Sequence, residues 1–306
     1  MSDTPFVKFS GLRVYSQNVY KKYAWIELLL NEHLNLSDII FIQEPLWGRI
    51  CNVASMTDNV GDPIMGMLKH PAWRRFFPKP ADPNLNSDRP RVTAFVHQCL
   101  WAMKPKLCSD IFKSQDIMLL TLNGLRGQLH MLNVYSDSKG SAIRALQEHR
   151  SILSPIGYLG GDFNCLSDRW DPEWTRRTSP FAESLEDFVQ ANGLIYQNLG
   201  SATHFPENGS HPSTIDLVFL SGNDQESRSK VGKRGESDHC PILTELRFPV
   251  LMENKLPNIK VGSEADTEFT NDILKSIVSI ACPSETGSHE DITHITTLVS
   301  ECLAKA

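Results

Sequence analysis

Five short segments of this chain each set a polar or acidic residue at the end of an apolar run, and no other feature constrains the fold as tightly. The first closes on Ser16-Gln17-Asn18 and the second on Gln43-Glu44, after Phe41-Ile42. The third closes on Asn133-Val134-Tyr135-Ser136, the fourth on Gly160-Gly161-Asp162-Phe163-Asn164. The fifth comes in two parts, Ser213-Thr214-Ile215-Asp216-Leu217 and Ser237-Asp238-His239-Cys240-Pro241. A carboxylate that follows several apolar residues is costly to bury without a partner. Such ends must reach a surface or meet one another, and strand ends on a rigid scaffold are where sites are commonly built.

Periodicity places these ends on elements. Residues 12–18 alternate as a strand, and 38–44 form a continuous apolar strand. Residues 92–97, 116–122, 127–135, 156–163, 214–220 and 242–248 read as further strands, with Asn123-Gly124 and Gly127 marking a tight hairpin. Residues 24–36 put Trp25, Leu28, Leu29 and Leu36 near one face of a helix. Residues 141–153 form a second helix. Residues 180–192 form a third, with Phe181, Leu185, Phe188 and Val189 at helical spacing and Gly193 as its stop. Residues 51–91, rich in Pro, Asn, Asp and Gly, read as long loops with one short helix. Strands dominate, with a few helices between them. The expected class is therefore α/β (α+β), two packed sheets flanked by helices.

The character changes after Pro249. A domain over 1–249 is followed by a polar linker over 250–265 and a helical segment over 266–306. Phe269, Ile273, Ile277 and Ile280 form one stripe of that segment, and Ile292, Ile295, Leu298, Cys302 and Leu303 the other, as in a helical hairpin.

Composition limits the function classes. A chain of 306 residues, 41% hydrophobic, can bury a large core. No apolar run approaches the roughly 18 residues of a membrane span, and Met1 to Ser10 lacks a signal-peptide layout. The expected location is intracellular, nuclear or cytoplasmic, with no membrane partner. The seven cysteines are widely spaced, with no C-x-x-C pair, which argues against a disulfide framework or a structural zinc site. The net charge of −6 argues against a protein that coats nucleic acid by bulk charge. Binding to a polyanion must come from a local basic patch, or from metal ions offsetting acidic ligands.

Chemistry follows from residue type and spacing. Asp162 and Asn164, two apart in an extended segment, point the same way and can share one phosphate or one metal; an Asx-rich turn is the other reading. In the adjacent pair Asp238-His239, one member can hold a metal while the other manages a proton. Asp216 is a suitable partner to orient His239. Taken alone, Glu44 is equally a residue that has reached the surface, and Tyr135 a strand-end packing residue.

Together and in this order, the segments resemble the endonuclease/exonuclease/phosphatase superfamily. The matching pieces are Gln17-Asn18, Gln43-Glu44, Asn133-Val134-Tyr135, Gly161-Asp162-Phe163-Asn164, Thr214-Ile215-Asp216 and Ser237-Asp238-His239-Cys240-Pro241, over about residues 10 to 248. Asp168-Arg169-Trp170-Asp171 and Ser213-Thr214-Ile215-Asp216-Leu217-Val218-Phe219 look like the branch of non-LTR retrotransposon endonucleases, fungal-like members among them. The Trp-Cys/Thr-Asp-Arg element of inositol-phosphate phosphatases has no counterpart here. Tyr20 stands where repair-type members carry an extra acidic ligand, which argues against abasic-site repair.

The resemblance implies a four-layered sandwich, two sheets face to face with helices outside, and a Mg²⁺ (or Mn²⁺) cofactor. It implies that Glu44, helped by Asn18 and Asp238, holds the metal. Asp162 would orient or deprotonate the attacking water, and Asn164 and Tyr135 would hold the scissile phosphate. His239, oriented by Asp216, would stabilise the transition state or shuttle a proton. An all-oxygen ligand set suits these hard cations rather than zinc. The expected activity is phosphodiester hydrolysis, as a DNA-nicking endonuclease related to retrotransposon target-site cleavage. The partners are DNA and a reverse-transcriptase domain absent from this chain. Lys233 and Arg234, next to Ser237, are the best-placed DNA contacts, with Arg126 and Arg169 as further ones; Trp47 and Trp170 either stack on DNA or pack in the core. Two other readings stay open: a phosphoesterase acting on a small phosphodiester or a lipid, and a catalytically inactive relic with a binding role.

Overall fold

The run Ile39-Ile40-Phe41-Ile42-Gln43 is buried at every position. A strand buried on both faces needs cover on both, so its sheet must sit between two other layers. The computed structural model shows those layers. It describes residues 6–8, 11–53, 62–79, 89–124, 127–150, 153, 155–171, 178–224, 226–248, 250–252, 267 and 271.

In chain order the elements are β1 (Phe6–Lys8), β2 (Leu12–Asn18), α1 (Tyr23–Glu32), β3 (Ile39–Gln43), β4 (Gly48–Val53), β5 (Asp62–Gly66), β6 (Trp73–Phe76) and β7 (Val92–His97). Then come β8 (Lys106–Leu107), β9 (Ile117–Gly124), β10 (Gly127–Tyr135), α2 (Ser141–Glu148), β11 (Ile156–Asp162) and α3 (Ala182–Ala191). The last are β12 (Leu194–Tyr196), β13 (Asp216–Ser221), β14 (Arg228–Val231), β15 (Ile242–Leu246) and β16 (Val250–Met252). Two six-stranded sheets form, ordered β14-β15-β2-β3-β7-β6 and β12-β13-β11-β10-β9-β8. The small pairs β1–β16 and β4–β5 complete the strands.

Each large sheet contains one parallel pair, β2 with β3 and β10 with β11, and its other pairings are antiparallel. Between the sheets lies a core in which Val14, Phe41 and Ala94 of the first share a cluster with Leu120, Met131, Tyr158 and Val218 of the second. The Phe41 and Tyr158 rings stack there, 5.5 Å apart. On the outer side of the first sheet, Tyr15, Ile40, Ile42 and Phe95 pack with Ile26, Leu29 and Leu30 of α1. On the outer side of the second, Leu132, Leu159, Leu217 and Phe219 pack with Ile143 and Leu146 of α2 and Leu185 and Phe188 of α3. The result is the four-layered sandwich that the resemblance implied.

Several expectations need correction. Residues 51–91 are not only loops, because they carry the end of β4 and all of β5 and β6. β5 contains Pro63 and β6 is four residues long with two arginines, so neither shows an alternating signal. The first helix buries Ile26, Leu29 and Leu30, whereas Leu28 and Leu36 are exposed (44% and 61%). Positions 26, 29 and 30 are the i, i+3, i+4 set that one helical face presents. The second helix stops at Glu148, and the next ring, His149, packs its Nδ1 2.9 Å from the Ala145 carbonyl. Residues 250–252 form β16 against β1, where a linker was expected. By internal contacts the chain divides into one unit over Pro5–Glu253 and another made of Met1–Thr4 and Asn254–Ala306. The expected helical hairpin lies outside the described residues, apart from Thr267 and Asn271.

One glycine is required by the β10–β11 pairing. Gly161 has φ +140, and a Cβ there would sit 2.0 Å from the Val134 carbonyl oxygen. Gly161→Ala is therefore expected to destabilise the domain by on the order of 3 kcal/mol, from backbone strain plus a backbone clash. Denaturant unfolding monitored by tryptophan fluorescence measures this, and a change below roughly 1 kcal/mol would contradict it. A chain ending at Glu253, which keeps β16, is expected to unfold in one cooperative transition and to keep the catalytic rate of the full chain. Calorimetry and a rate assay on both chains check this.

Candidate active site

The strand directions bring the polar ends together. In a parallel pair both C-termini lie at the same edge, so β2 and β3 deliver Asn18 and Gln43-Glu44 side by side. β10 and β11 do the same with Tyr135 and Asp162. An antiparallel neighbour arrives at that edge by its N-terminus. Asp216, the first residue of β13, is accordingly the register partner of Asp162. Ile242, which begins β15, is the partner of Ser16, and the Ser237-Asp238-His239 segment lies just before it.

Asn18 links the two sheets. Its Nδ2 donates to Glu44 Oε2 (3.2 Å) and to Asp162 Oδ2 (2.9 Å). Its Oδ1 accepts from the Tyr20 backbone N–H (2.9 Å), an Asx turn that fixes which end of the amide faces the carboxylates. Asn18 thus turns donors toward Glu44 and Asp162, and its oxygen is already engaged. Glu44 sits at φ 49, its N–H held by the Arg91 carbonyl (2.8 Å). Behind it, Gln43 Nε2 donates to Asn133 Oδ1 (2.6 Å), and Asn133 Nδ2 donates to the Thr93 carbonyl (3.0 Å). This fully buried pair is a second polar tie between the sheets.

Asp162 is 1% exposed. Its Oδ1 accepts from the Asn164 backbone N–H (3.0 Å) and its Oδ2 from Asn164 Nδ2 (3.2 Å). Asn164, at φ 46, also donates Nδ2 to the Ser136 carbonyl (2.9 Å). Burial, and after it the Asp216 carboxylate, pushes the Asp162 carboxyl well above the usual carboxylate range; His239 and the Asn18 bond pull against that shift.

His239 Nδ1 lies 3.0 and 2.9 Å from the two oxygens of Asp216. An ionised carboxylate only accepts, so Nδ1 carries the proton and Nε2 is left for the site. Thr203 Oγ1 accepts from the Asp216 backbone N–H (3.0 Å). Ser237 Oγ donates to the Asn18 carbonyl (2.7 Å), and Gln17 Nε2 donates to the His239 carbonyl (2.8 Å). Burial works to lower the His239 pKa, but Asp216, Asp162 and Asp238 outweigh it and the net shift is upward. Tyr135 hydrogen-bonds Glu44, and the Arg91 guanidinium lies 4.8 Å over its ring. Burial first, then Glu44 and Asp162, raises the Tyr135 hydroxyl above its ordinary value.

Two open clefts of about 600 and 630 Å³ reach this centre. The walls of one include Asp238, Phe205, Lys22 and Arg234. Those of the other include Glu44, Lys21, Arg89 and Arg91. The Arg234 guanidinium lies 5.5 Å from the Phe205 ring centre. Lys233 is exposed beside it. Arg169 is exposed and ion-paired with Glu186, and Arg126 lies outside the described residues. Trp47 and Trp170 are both core residues: Trp47 packs edge-on against Phe77, and Trp170 Nε1 donates to the Cys165 carbonyl (2.8 Å).

Sequence reasoning missed Lys21, Lys22, Arg89, Arg91, Thr203 and His204. Lys21-Lys22, three and four residues after Asn18, was a legible signal. Thr203 and His204 lie outside any regular strand and carry none. His204 packs its ring 4.6 Å from that of His239, with Nε2 3.5 Å from Asp238 Oδ2.

Residues 129–243 match the model of a family described as endonuclease-reverse transcriptase. None of the curated proteins matches the sequence. Among solved structures, the chain is similar to the endonuclease domain of TRAS1, a telomere-specific non-LTR retrotransposon, with TM-score 0.59 and 16% identity, over 78% of this chain and 98% of that one. An endonuclease/exonuclease/phosphatase from Beutenbergia cavernae gives TM-score 0.48 and 14% identity, over 78% of this chain and 72% of that one. A magnesium-bound Staphylococcus aureus β toxin mutant gives 0.41 and 11%, over 78% and 100%. No helix among the described residues is long and apolar enough to cross a membrane. Residues 129–243 thus match a family model described as endonuclease-reverse transcriptase, and the fold over 78% of the chain is similar to that of the TRAS1 endonuclease domain.

Proposed function

We propose that this chain is a Mg²⁺-dependent endonuclease that nicks DNA, of the kind that opens target sites for non-LTR retrotransposons. The observation that carries the proposal is the convergence around Asp162. It sits between the Asp216–His239 pair on one side and Asn18 with Glu44 on the other.

The donor set fits a hard cation. Glu44 and Asp238 would hold Mg²⁺ or Mn²⁺, both being oxygen ligands. When bound, the ion offsets charge on the phosphate. Asn18, whose Oδ1 keeps a second lone pair beside the bond from the Tyr20 N–H, would help Glu44 and Asp238 hold the ion, and its Nδ2 aligns Glu44. Asp162, fixed by Asn18 and Asn164 and made more basic by burial, orients the attacking water and takes its proton. Asn164 and Tyr135 hold the phosphate oxygens. His239, its Nδ1 fixed by Asp216, presents Nε2 to the charge that develops on transfer. One such preorganised donor is commonly worth about 3–4 kcal/mol. Duplex DNA would continue into the two clefts, with Lys22 and Arg234 on the Asp238 side and Lys21 and Arg89 on the Glu44 side.

The decisive test is nicking of supercoiled plasmid with Mg²⁺ and with a chelator. Wild type is expected to nick only with the metal. Folded Asp162→Asn should lose at least about three orders of magnitude in rate, and Glu44→Ala should be partly rescued by excess metal. A folded chain that hydrolyses a small phosphodiester but leaves plasmid intact would establish the phosphoesterase reading instead. A chain inactive on both would be a binding protein.

Lys233→Ala with Arg234→Ala tests the DNA side. Phosphate contacts set affinity rather than sequence preference, and each releases counterions. The double variant should bind every duplex more weakly and lower the salt slope by roughly two contacts, with much less change on a small diester. Equal DNA affinity and salt slope in the two proteins would remove these residues from the interface.

A further inference from the structure

His204 has no part in the chemistry described above, yet its ring nitrogen faces the same space as Asp238 and His239. One ligand atom from each of the three residues can be chosen so that all lie within 4.8 Å of one another. His204 Nε2 is 3.5 Å from Asp238 Oδ2, and His239 Nε2 is 4.0 Å from Asp238 Oδ1. Ligands of a tetrahedral zinc ion, each bound at about 2.0–2.1 Å, lie roughly 3.3–3.5 Å apart. Small side-chain rotations therefore close the set.

Two further features resemble built metal sites. His239 directs its Nδ1 to the Asp216 carboxylate, which leaves Nε2 as the atom a metal ion would take by displacing its proton. A carboxylate behind a ligating imidazole is the usual outer support of a zinc histidine. The ligand-bearing backbone is also fixed. His204 exchanges backbone bonds with Ser213 (2.9 and 3.0 Å), and Phe205 N–H donates to the Asp238 carbonyl (2.8 Å). Two imidazoles and one carboxylate select a borderline-soft ion over Mg²⁺. With three protein ligands, the fourth position is left to water.

We propose that His204, Asp238 and His239 form a transition-metal site, best suited to Zn²⁺, and that its occupation switches the catalytic centre off. A bound Zn²⁺ takes the Nε2 of His239 and shares Asp238, so both are withdrawn from phosphate transfer. The binding site stands on the geometry alone, whereas the inhibition rests on the nuclease reading.

The full chain is titrated with Co²⁺, followed by its d–d absorption, and the Co²⁺ is then displaced with Zn²⁺. Wild type is expected to bind one equivalent with a four-coordinate spectrum. His204→Phe keeps the ring packing but has no ligand atom. Its affinity should fall by at least about tenfold, the scale on which even outer partners tune metal sites. Glu44→Gln should bind Zn²⁺ as wild type does. His204→Gln, titrated in parallel, should show the same loss, so that a folding defect in one variant does not decide the result; thermal melts of both confirm the fold. Unchanged affinity in the His204 variants, or loss in Glu44→Gln instead, would overturn the site. In the nicking assay with Mg²⁺ held fixed, Zn²⁺ should inhibit wild type at a concentration at least about tenfold lower than it inhibits either His204 variant, each scaled to its own uninhibited rate. Equal inhibition would overturn the switch and leave the site. Co²⁺ binding that depends on His204, in a chain that nicks nothing, would leave the site standing while the nuclease reading fails.

Discussion

The site depends on the hydrogen bonds that the Asn18 amide makes to two carboxylates from different sheets. Asp162 ends a strand of the second sheet, and Glu44 follows a strand of the first. A buried carboxylate without donors would be strongly destabilising. One amide group serves both, and a turn locks its orientation through Tyr20. The relative position of the sheets and the relative position of the acids are thus one geometric fact. The buried Gln43–Asn133 bond repeats the tie one layer deeper. Between them these bonds make the polar edge of the sandwich as specific as its apolar middle.

The second constraint is electrostatic. Asp162, Asp216 and Asp238 all act on one imidazole, and the Asp216 carboxylate also raises Asp162. So much negative charge in little solvent is relieved by protonation, by His239, or by a cation, and a phosphodiester brings further negative charge of its own. The overall charge of −6 is consistent with this, and the cationic side chains near the acids are few. Lys21, Lys22, Arg89 and Arg234 stand in the walls of the two clefts that open on the acids. His204 adds a second imidazole beside Asp238, and two imidazoles with one carboxylate suit a softer ion than Mg²⁺.

The sequence by itself determined the elements that bury both faces and the residues at their ends. A short, β-branched run such as Ile39-Ile40-Phe41-Ile42 favours a covered strand, and a following Glu44 marks where the cover stops. Asp162, Asp216 and His239 were legible because each stands beside a change from apolar to polar, and their order along the chain matched a known pattern. Segments with no period were not legible. β6, β12 and β14 are edge strands of three or four residues, whose place in a sheet is set by the neighbour they pair with. The stripe chosen for α1 missed for a related reason: either of two overlapping apolar sets could face inward, and the sheet beneath selected Ile26, Leu29 and Leu30. Only the tertiary structure decided how Asn18 uses its amide, because that depends on Glu44 and Asp162, 26 and 144 residues away. The same holds for His204, brought to His239 by backbone pairing between loops that have no local signature. Sequence reports what a residue is and which face its neighbours bury, whereas hydrogen bonds between distant strand ends exist only once the sheets are in register.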